Sequence, residues 1–249
     1  LWSLAITFLC MATEGMMAYD VPEELKGRTG GFLQAGNLGG AGIGGGIGLL
    51  LAQHLPAVWM SPVIIGVLCL ACCLALVFFS DHKTTVKEED MRRTYVNIGK
   101  DVWGTIKTRS GLLGLLLCFL TLGTGAAGNL WSSIAKDWHV SADTVAVVTG
   151  VAGGLLAALG CLLGGWICDR MNSRNAYLLF GLTGAACAVA MGYAPRTEGM
   201  FVVFTSLYAV TTGLCFAGFT AFTLDVIGKG AAATKYNIFA ALSNSPIYL

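Results

Sequence analysis

The sequence predicts an all-α protein that crosses a membrane several times, and three observations support that prediction. Charged residues form only 12% of the chain, against about a quarter in an ordinary soluble domain. The mean hydropathy is +0.71. The apolar residues are gathered into runs of about twenty, each long enough for a helix to cross a hydrocarbon core. So few charges cannot cover a soluble surface, and we therefore expect an integral, multi-pass membrane protein.

Long apolar runs define the predicted transmembrane helices. Two of them are incomplete, because the chain starts inside the run 1–19 and ends inside a run that begins near Tyr236. We therefore expect a fragment with six complete and two partial transmembrane helices. The complete runs are 32–52, 58–79, 111–131, 143–166, 176–194 and 199–222.

Lysine and arginine alternate between the two ends of the predicted helices. The intervening loops contain only Lys136 and Arg196 of the 15 basic residues. The others fall in four alternate loops, near 20–31, 80–110, 167–175 and 223–235. Since cytoplasmic loops retain Lys and Arg, we expect these four loops to be cytoplasmic. The net charge of +1 averages two unlike faces and does not indicate a nucleic-acid partner.

The longest polar segment, 80–110, divides the predicted helices into two groups, 1–79 and 111–249. We interpret it as a cytoplasmic linker between two helix bundles, of which the second is incomplete. Apolar residues recur in it at three- and four-residue steps, which predicts an amphipathic helix along the membrane surface. A disordered charged linker is the alternative. The stripe consists of Met91, Tyr95, Ile98, Val102 and Ile106.

Two predicted helices carry glycines on one face. Because residues four apart share a helix face, such stripes let neighbouring helices approach backbone to backbone. We expect the two helices to contact each other. The first stripe is Gly36, Gly40, Gly44 and Gly48; the second helix has one small face at Gly150 and Gly154, and another at Gly153, Ala157, Gly160 and Gly164.

One short basic loop contains a recognisable motif. Gly165, Asp169, Arg170 and Arg174 form the pattern GxxxDR followed four residues later by Arg. This pattern resembles the cytoplasmic loop signature of the major facilitator superfamily, whose members have twelve helices in two pseudo-symmetric bundles. The resemblance implies a gating role for these residues, with Asp169 capping a neighbouring helix. Positive charge that only sets topology, combined with a helix cap, is the alternative.

Two further segments resemble a narrower group. Residues 22–27 (PEELKG) and 233–243 are similar to loops of AmpG-type muropeptide permeases and their acetyl-CoA-transporter relatives, although Gln often stands where this chain has Lys235. The resemblance implies that the fragment extends roughly from the fourth to the eleventh helix. The glycine-rich helices would be the fifth and eighth, which meet between the bundles. It also implies a monomer in the bacterial inner membrane.

A few polar residues inside the apolar runs could line a transport path. Glu14 is the only carboxylate well inside a predicted helix, and a buried carboxylate in hydrocarbon is costly unless it faces a polar cavity or a partner. We expect it to couple proton movement or to contact substrate; a structural hydrogen bond is the alternative. Further candidates, for each of which packing is the favoured alternative, are Gln34, Asn37, Asn129 and Asn244.

These observations favour a secondary transporter that works by alternating access and is coupled to protons. The resemblance implies a small amphiphilic substrate such as a cell-wall sugar-peptide. A non-transporting membrane assembly factor or sensor with the same fold is the alternative. An enzyme is disfavoured, because the predicted helices contain no paired nucleophile and base. No metal or other cofactor is expected. Apart from substrate and proton, the only predicted partner is membrane lipid.

Overall fold

The computed structural model describes residues 13–14, 17, 21–57, 59–74, 91–119, 128, 130–227 and 232–248. Within these ranges the chain is helical and contains no strand. The helices are α1 (Lys26–His54), α2 (Met60–Cys73), α3 (Met91–Lys107), α4 (Arg109–Phe119), α5 (Trp131–Ile134), α6 (Ala142–Thr149), α7 (Val151–Cys168), α8 (Ser173–Tyr193), α9 (Glu198–Ile227) and α10 (Ala232–Tyr248). Short 3-10 helices, Glu23–Leu25 and Ala135–Trp138, precede α1 and follow α5.

Among the described residues, four helical segments are long and apolar enough to cross a membrane: α1, α6 with α7, α8 and α9. They correspond to the predicted runs 32–52, 143–166, 176–194 and 199–222. The shorter apolar helix α2 begins the predicted run 58–79. The prediction of an all-α polytopic membrane protein is therefore confirmed.

Several predicted boundaries are wrong. Helix α1 begins at Lys26, inside the segment assigned to a loop, and α10 begins at Ala232 rather than near Tyr236. As a result Lys26, Arg28 and Lys235 lie in helices. A hydropathy pattern reports where apolar side chains stop, whereas a helix continues past the hydrocarbon wherever its terminal groups find caps and ion partners.

The predicted run 111–131 is described only in part, because residues 120–127 and 129 lie outside the described ranges. Its first residues belong to α4, and its last residue, Trp131, starts a helix of four residues that continues as a 3-10 turn. The turn ends at His139, whose φ of 56° is left-handed. Helix α6 then starts behind Ser141, whose side chain accepts a hydrogen bond from the Thr144 backbone N–H at 3.1 Å.

Two ends of the molecule are distinguished below. The basic end carries Arg28, Asp169 and Lys235, and the opposite end carries His54, His139 and Glu198.

Aromatic side chains pack near each end. At the basic end Tyr177 stacks on Phe222 with ring centroids 6.1 Å apart, within a core that also contains Phe180, Phe219, Tyr236 and Phe239. At the opposite end Trp131, Trp138, Met191 and Phe201 form a second core. Together they hold α8, α9 and α10 in place.

Helix α7 lies between α1 and α9 and contacts both through small residues. On the α1 side, a Cβ added to Gly154 would stand 2.7 Å from the Gly42 Cα. On the α9 side, a Cβ added to Gly164 would stand 3.0 Å from the Ala217 Cβ. Only glycine allows such close approach on both sides at once.

The predicted contact between the two glycine-rich helices therefore exists, but α1 uses another face for it. No described residue lies within 4 Å of a Cβ added to Gly36, Gly40 or Gly44, and Gly48 meets α2 at Ile65. The glycines of α1 that meet α7 are Gly27, Gly31, Gly39, Gly42 and Gly46. Four-residue spacing identifies glycine stripes on a helix, yet the partner's position determines which stripe is buried.

Candidate functional site

An ion pair and a helix cap join α1 to α7 at the basic end. Asp169 directly follows the last residue of α7, and its Oδ2 lies 2.9 Å from Nε of Arg28. Its Oδ1 accepts a hydrogen bond from the Arg28 backbone N–H at 3.1 Å. The Asp169 side chain is 7% exposed and that of Arg28 is 48% exposed. The carboxylate thus supplies an acceptor and a negative charge at the positive end of α1.

The backbones must be close for this contact to form. A Cβ added to Gly27 would stand 2.5 Å from Asp169 Oδ1 and 2.7 Å from the Gly165 carbonyl oxygen. A Cβ added to Gly31 would stand 3.0 Å from the Gly165 Cα. Glycine at these positions therefore allows the start of α1 to seat directly on the end of α7.

Of the residues predicted to gate, two reach α1 and two do not. Gly165 and Asp169 contact α1, as described above. The Arg170 guanidinium stacks 3.5 Å from the Trp166 ring centroid and Nη1 donates to the Trp166 carbonyl. The Arg174 backbone N–H donates to the Asn172 side chain, which caps α8. Neither arginine contacts α1 in the part of the chain that the structure describes.

A second ion pair at the basic end was missed by the sequence analysis. The Lys235 ammonium lies 2.8 Å from Asp101 Oδ2 of α3 and donates to the Ile227 carbonyl oxygen at the end of α9 at 2.9 Å. Lys235 is 4% exposed. The sequence pattern predicts a loop at Lys235 and a polar linker at Asp101, and neither predicts a buried contact.

A buried chain of hydrogen bonds connects α1 with α9 and α10. Gln34 Nε2 donates to Thr220 Oγ1 at 2.9 Å, and Thr220 Oγ1 lies 3.1 Å from the Tyr236 hydroxyl. Asn37 Nδ2 donates to Gln34 Oε1 at 3.4 Å. Gln34, Thr220 and Tyr236 are 6%, 0% and 1% exposed. Sequence analysis identified the two amides; threonine and tyrosine are common in apolar helices and carried no distinguishing signal.

The other predicted path residues are placed only in part. Glu14 is helical and half-buried, and its Oε2 accepts a hydrogen bond from Asn237 Nδ2 at 3.4 Å. Asn237 follows Tyr236 in α10, so Glu14 lies beside the buried chain rather than in it. Asn129 lies outside the described residues, and of Asn244 the structure describes only its place in α10.

A cavity of about 680 Å³ lies between α1, α6, α7 and α9, on the side of the α1–α7 contact that faces the opposite end. Its volume suits a small molecule. The described residues that line it are uncharged. They include Leu38, Gly42, Gly46, Trp131, Val148, Gly154, Thr205, Tyr208 and Thr212. The cavity therefore lies beside the α1–α7 contact, which continues from the basic end as far as Gly46 and Val151.

Replacing Gln34 with leucine should weaken the contact between α1 and α9. Leucine has a similar volume but removes the hydrogen bond to Thr220, whose hydroxyl keeps Tyr236 as a partner, and a lost hydrogen bond of this kind costs about 1 kcal/mol. We expect the thermal unfolding midpoint in detergent to fall by about 2–4 °C for each kcal/mol. Gln53→Leu, at an exposed position of the same helix, is the control. Equal midpoints for the two variants would contradict the structural role of the buried chain.

A sequence model of the Major Facilitator Superfamily matches residues 3–247, almost the whole chain. The chain belongs to the major facilitator superfamily. The all-α polytopic fold of this superfamily member agrees with the predicted fold class.

A curated relative gives a weaker similarity. This superfamily member is 28% identical over 109 residues to a protein described as "Gallate transporter" from Pseudomonas putida. The alignment covers 43% of this chain and 21% of that relative. The chain therefore matches about a fifth of the relative's length.

Proposed function

We propose that the protein is a secondary active transporter that works by alternating access and that Arg28 and Asp169 close one end of its pathway. The observation that carries the proposal is the ion pair and helix cap that seat α1 on α7 at the basic end, together with a cavity beside the same two helices nearer the opposite end. A contact that seals one side of a cavity while the other stays open is what alternating access requires.

We propose that the basic end faces the cytoplasm. The structure then represents an outward-facing state. The alternation of basic loops supports this orientation. We propose that residues 1–79 belong to the first bundle, 80–110 to the cytoplasmic linker and 111–249 to the second bundle. Helix α1 then belongs to one bundle, and α7, α9 and α10 to the other. The ion pair and the Gln34 chain must therefore break when the cytoplasmic side opens.

Two substrate classes are proposed. The resemblance to AmpG-type permeases suggests a cell-wall sugar-peptide, and the name of the Pseudomonas putida relative suggests an aromatic carboxylate such as gallate. The uncharged lining of the cavity, with Trp131 and Tyr208 side by side at 5.2 Å between ring centroids, suits the apolar part of either molecule. The proposed cellular location is the bacterial inner membrane, and the proposed assembly state is a monomer.

Uptake by the full-length protein in proteoliposomes tests the proposal. The panel should contain sugar-peptides and aromatic carboxylates, each with and without an imposed pH gradient. We expect concentrative uptake of one class. No flux for any compound would favour the alternative function, a non-transporting assembly factor or sensor with the same fold.

Glu14→Gln should abolish uptake that is driven by the pH gradient. Glutamine keeps the shape and accepts the hydrogen bond from Asn237, but it cannot bind and release a proton. Glu24→Gln, at an exposed position before α1, is the matched control and should transport normally. If Glu14→Gln transports as the wild type does across a pH series, Glu14 has no part in coupling.

A further inference from the structure

The linker helix α3 has two unlike faces. Ile98, Val102 and Ile106 are half-buried, and Asp101 beside them pairs with the buried Lys235 of α10. The ion pair directs this side of α3 toward the protein. The apolar stripe, which was predicted to lie on the membrane surface, is therefore on the protein side of α3. The opposite side of α3 is therefore the one available to a partner.

We name that side the outer face of α3; it consists of Val96, Lys100, Trp103 and Lys107. Steps of four, three and four residues place them on one helix face. Val96 is 49% exposed and Trp103 is 59% exposed, and both lysines are exposed. The Lys107 ammonium lies 5.4 Å from the Trp103 ring centroid.

The ion pair also determines the charge of the outer face. Between 91 and 109 the sequence has five basic residues and one acidic residue, Asp101. Because Asp101 is directed to Lys235, its negative charge is neutralised on the protein side of α3. The outer face is left with positive charge and an exposed indole.

The position of α3 along the chain indicates where this face lies. A single residue, Thr108, separates α3 from the apolar helix α4, which starts the predicted transmembrane run 111–131. Trp103 and Lys107 are therefore within about 12 Å of the start of that run, at about 1.5 Å per helical residue. Tryptophan is enriched at this level of a membrane, and lysines there attract anionic headgroups.

We propose that the outer face of α3 binds the anionic phospholipid headgroups of the cytoplasmic leaflet. The lysines pair with phosphate groups, and the Trp103 ring lies among the glycerol and upper acyl groups. The Lys235–Asp101 ion pair holds the helix in the rotation that presents this face. The partner is a lipid surface of negative charge, and the interaction is independent of which substrate the transporter carries.

Fluorescence quenching in nanodiscs tests the proposal with the full-length protein. Discs of phosphatidylcholine would contain increasing fractions of brominated phosphatidylglycerol or of brominated phosphatidylcholine. The contribution of Trp103 to the fluorescence is the difference between the signals of the wild type and of Trp103→Phe. We expect brominated phosphatidylglycerol to quench this contribution at a much lower fraction than brominated phosphatidylcholine does.

A double variant, Lys100→Gln with Lys107→Gln, should remove the preference. Each basic residue near an anionic surface contributes about fivefold to binding, so two should change the preference about 25-fold. The control, Lys136→Gln with Arg196→Gln, removes the same charge at exposed positions of the opposite end. Its fluorescence should be quenched with the same lipid preference as that of the wild type. Unfolding midpoints of all variants should agree, since every substituted side chain is exposed.

Three results would overturn the proposal. Equal quenching by the two lipids would exclude selective headgroup binding. Unchanged lipid selectivity in the double lysine variant would show that these two side chains do not bind the headgroups. Loss of selectivity on addition of soluble glycerol phosphate would show a simple anion site rather than a lipid surface.

Discussion

Asp169→Ala should open the basic end of the transporter and lower substrate uptake by at least an order of magnitude. The substitution removes the cap on α1 and leaves Arg28 without its partner. Because Arg28 is half exposed, the ion pair itself contributes little. The cap and the charged acceptor contribute about 2 kcal/mol together. That amount shifts the balance between closed and open states about thirtyfold.

Alkylation of Cys168 provides a direct measurement of this opening. Cys168 is the last residue of α7, next to Asp169, and is 8% exposed. Peptide mapping after maleimide treatment should show faster modification of Cys168 in Asp169→Ala than in the wild type. Asp169→Asn keeps an acceptor for the Arg28 N–H. Its rate of Cys168 modification should therefore lie between those of the wild type and Asp169→Ala.

Asp143→Ala is the control for this experiment, since Asp143 is exposed in the first turn of α6 at the opposite end. It should change neither uptake nor Cys168 alkylation. If Asp169→Ala shows wild-type rates of uptake and of Cys168 alkylation, the contact between Arg28 and Asp169 does not close the pathway.

Gly42→Val should cause the second large effect, on stability and assembly of the helices. A Cβ at this position would stand 2.8 Å from the Gly154 Cα and 3.2 Å from the Gly150 carbonyl oxygen. Both are backbone atoms, so α1 and α7 must separate. Overpacking of this kind costs about 1–3 kcal/mol. We expect a thermal midpoint lower by several degrees and a lower yield of folded protein.

Gly36→Val provides a matched comparison on the same helix, with the same change in intrinsic helix propensity. No described residue lies within 4 Å of a Cβ at Gly36, so its midpoint should stay close to that of the wild type. If the two valine variants lose the same stability, the loss in Gly42→Val does not come from overpacking between α1 and α7.

The sequence by itself determined the class of the protein and much of its layout. Long apolar runs and the alternation of basic loops depend on local composition and on the thickness of a bilayer, so they can be recognised without tertiary structure. For the same reason the motif from Gly165 to Arg174 indicated the family. The small faces of α7 were also visible, because helical spacing of glycines is a local pattern.

Only the tertiary structure decided which of these features meet. The crossing of two helices depends on the shapes of both surfaces, so α1 contacts α7 through Gly42 and not through Gly36. Partners far apart in sequence, such as Gln34 with Thr220 and Asp101 with Lys235, have no local signature. Hydrogen bonds and ion pairs form where packing brings polar groups together, and a one-dimensional pattern does not contain that information.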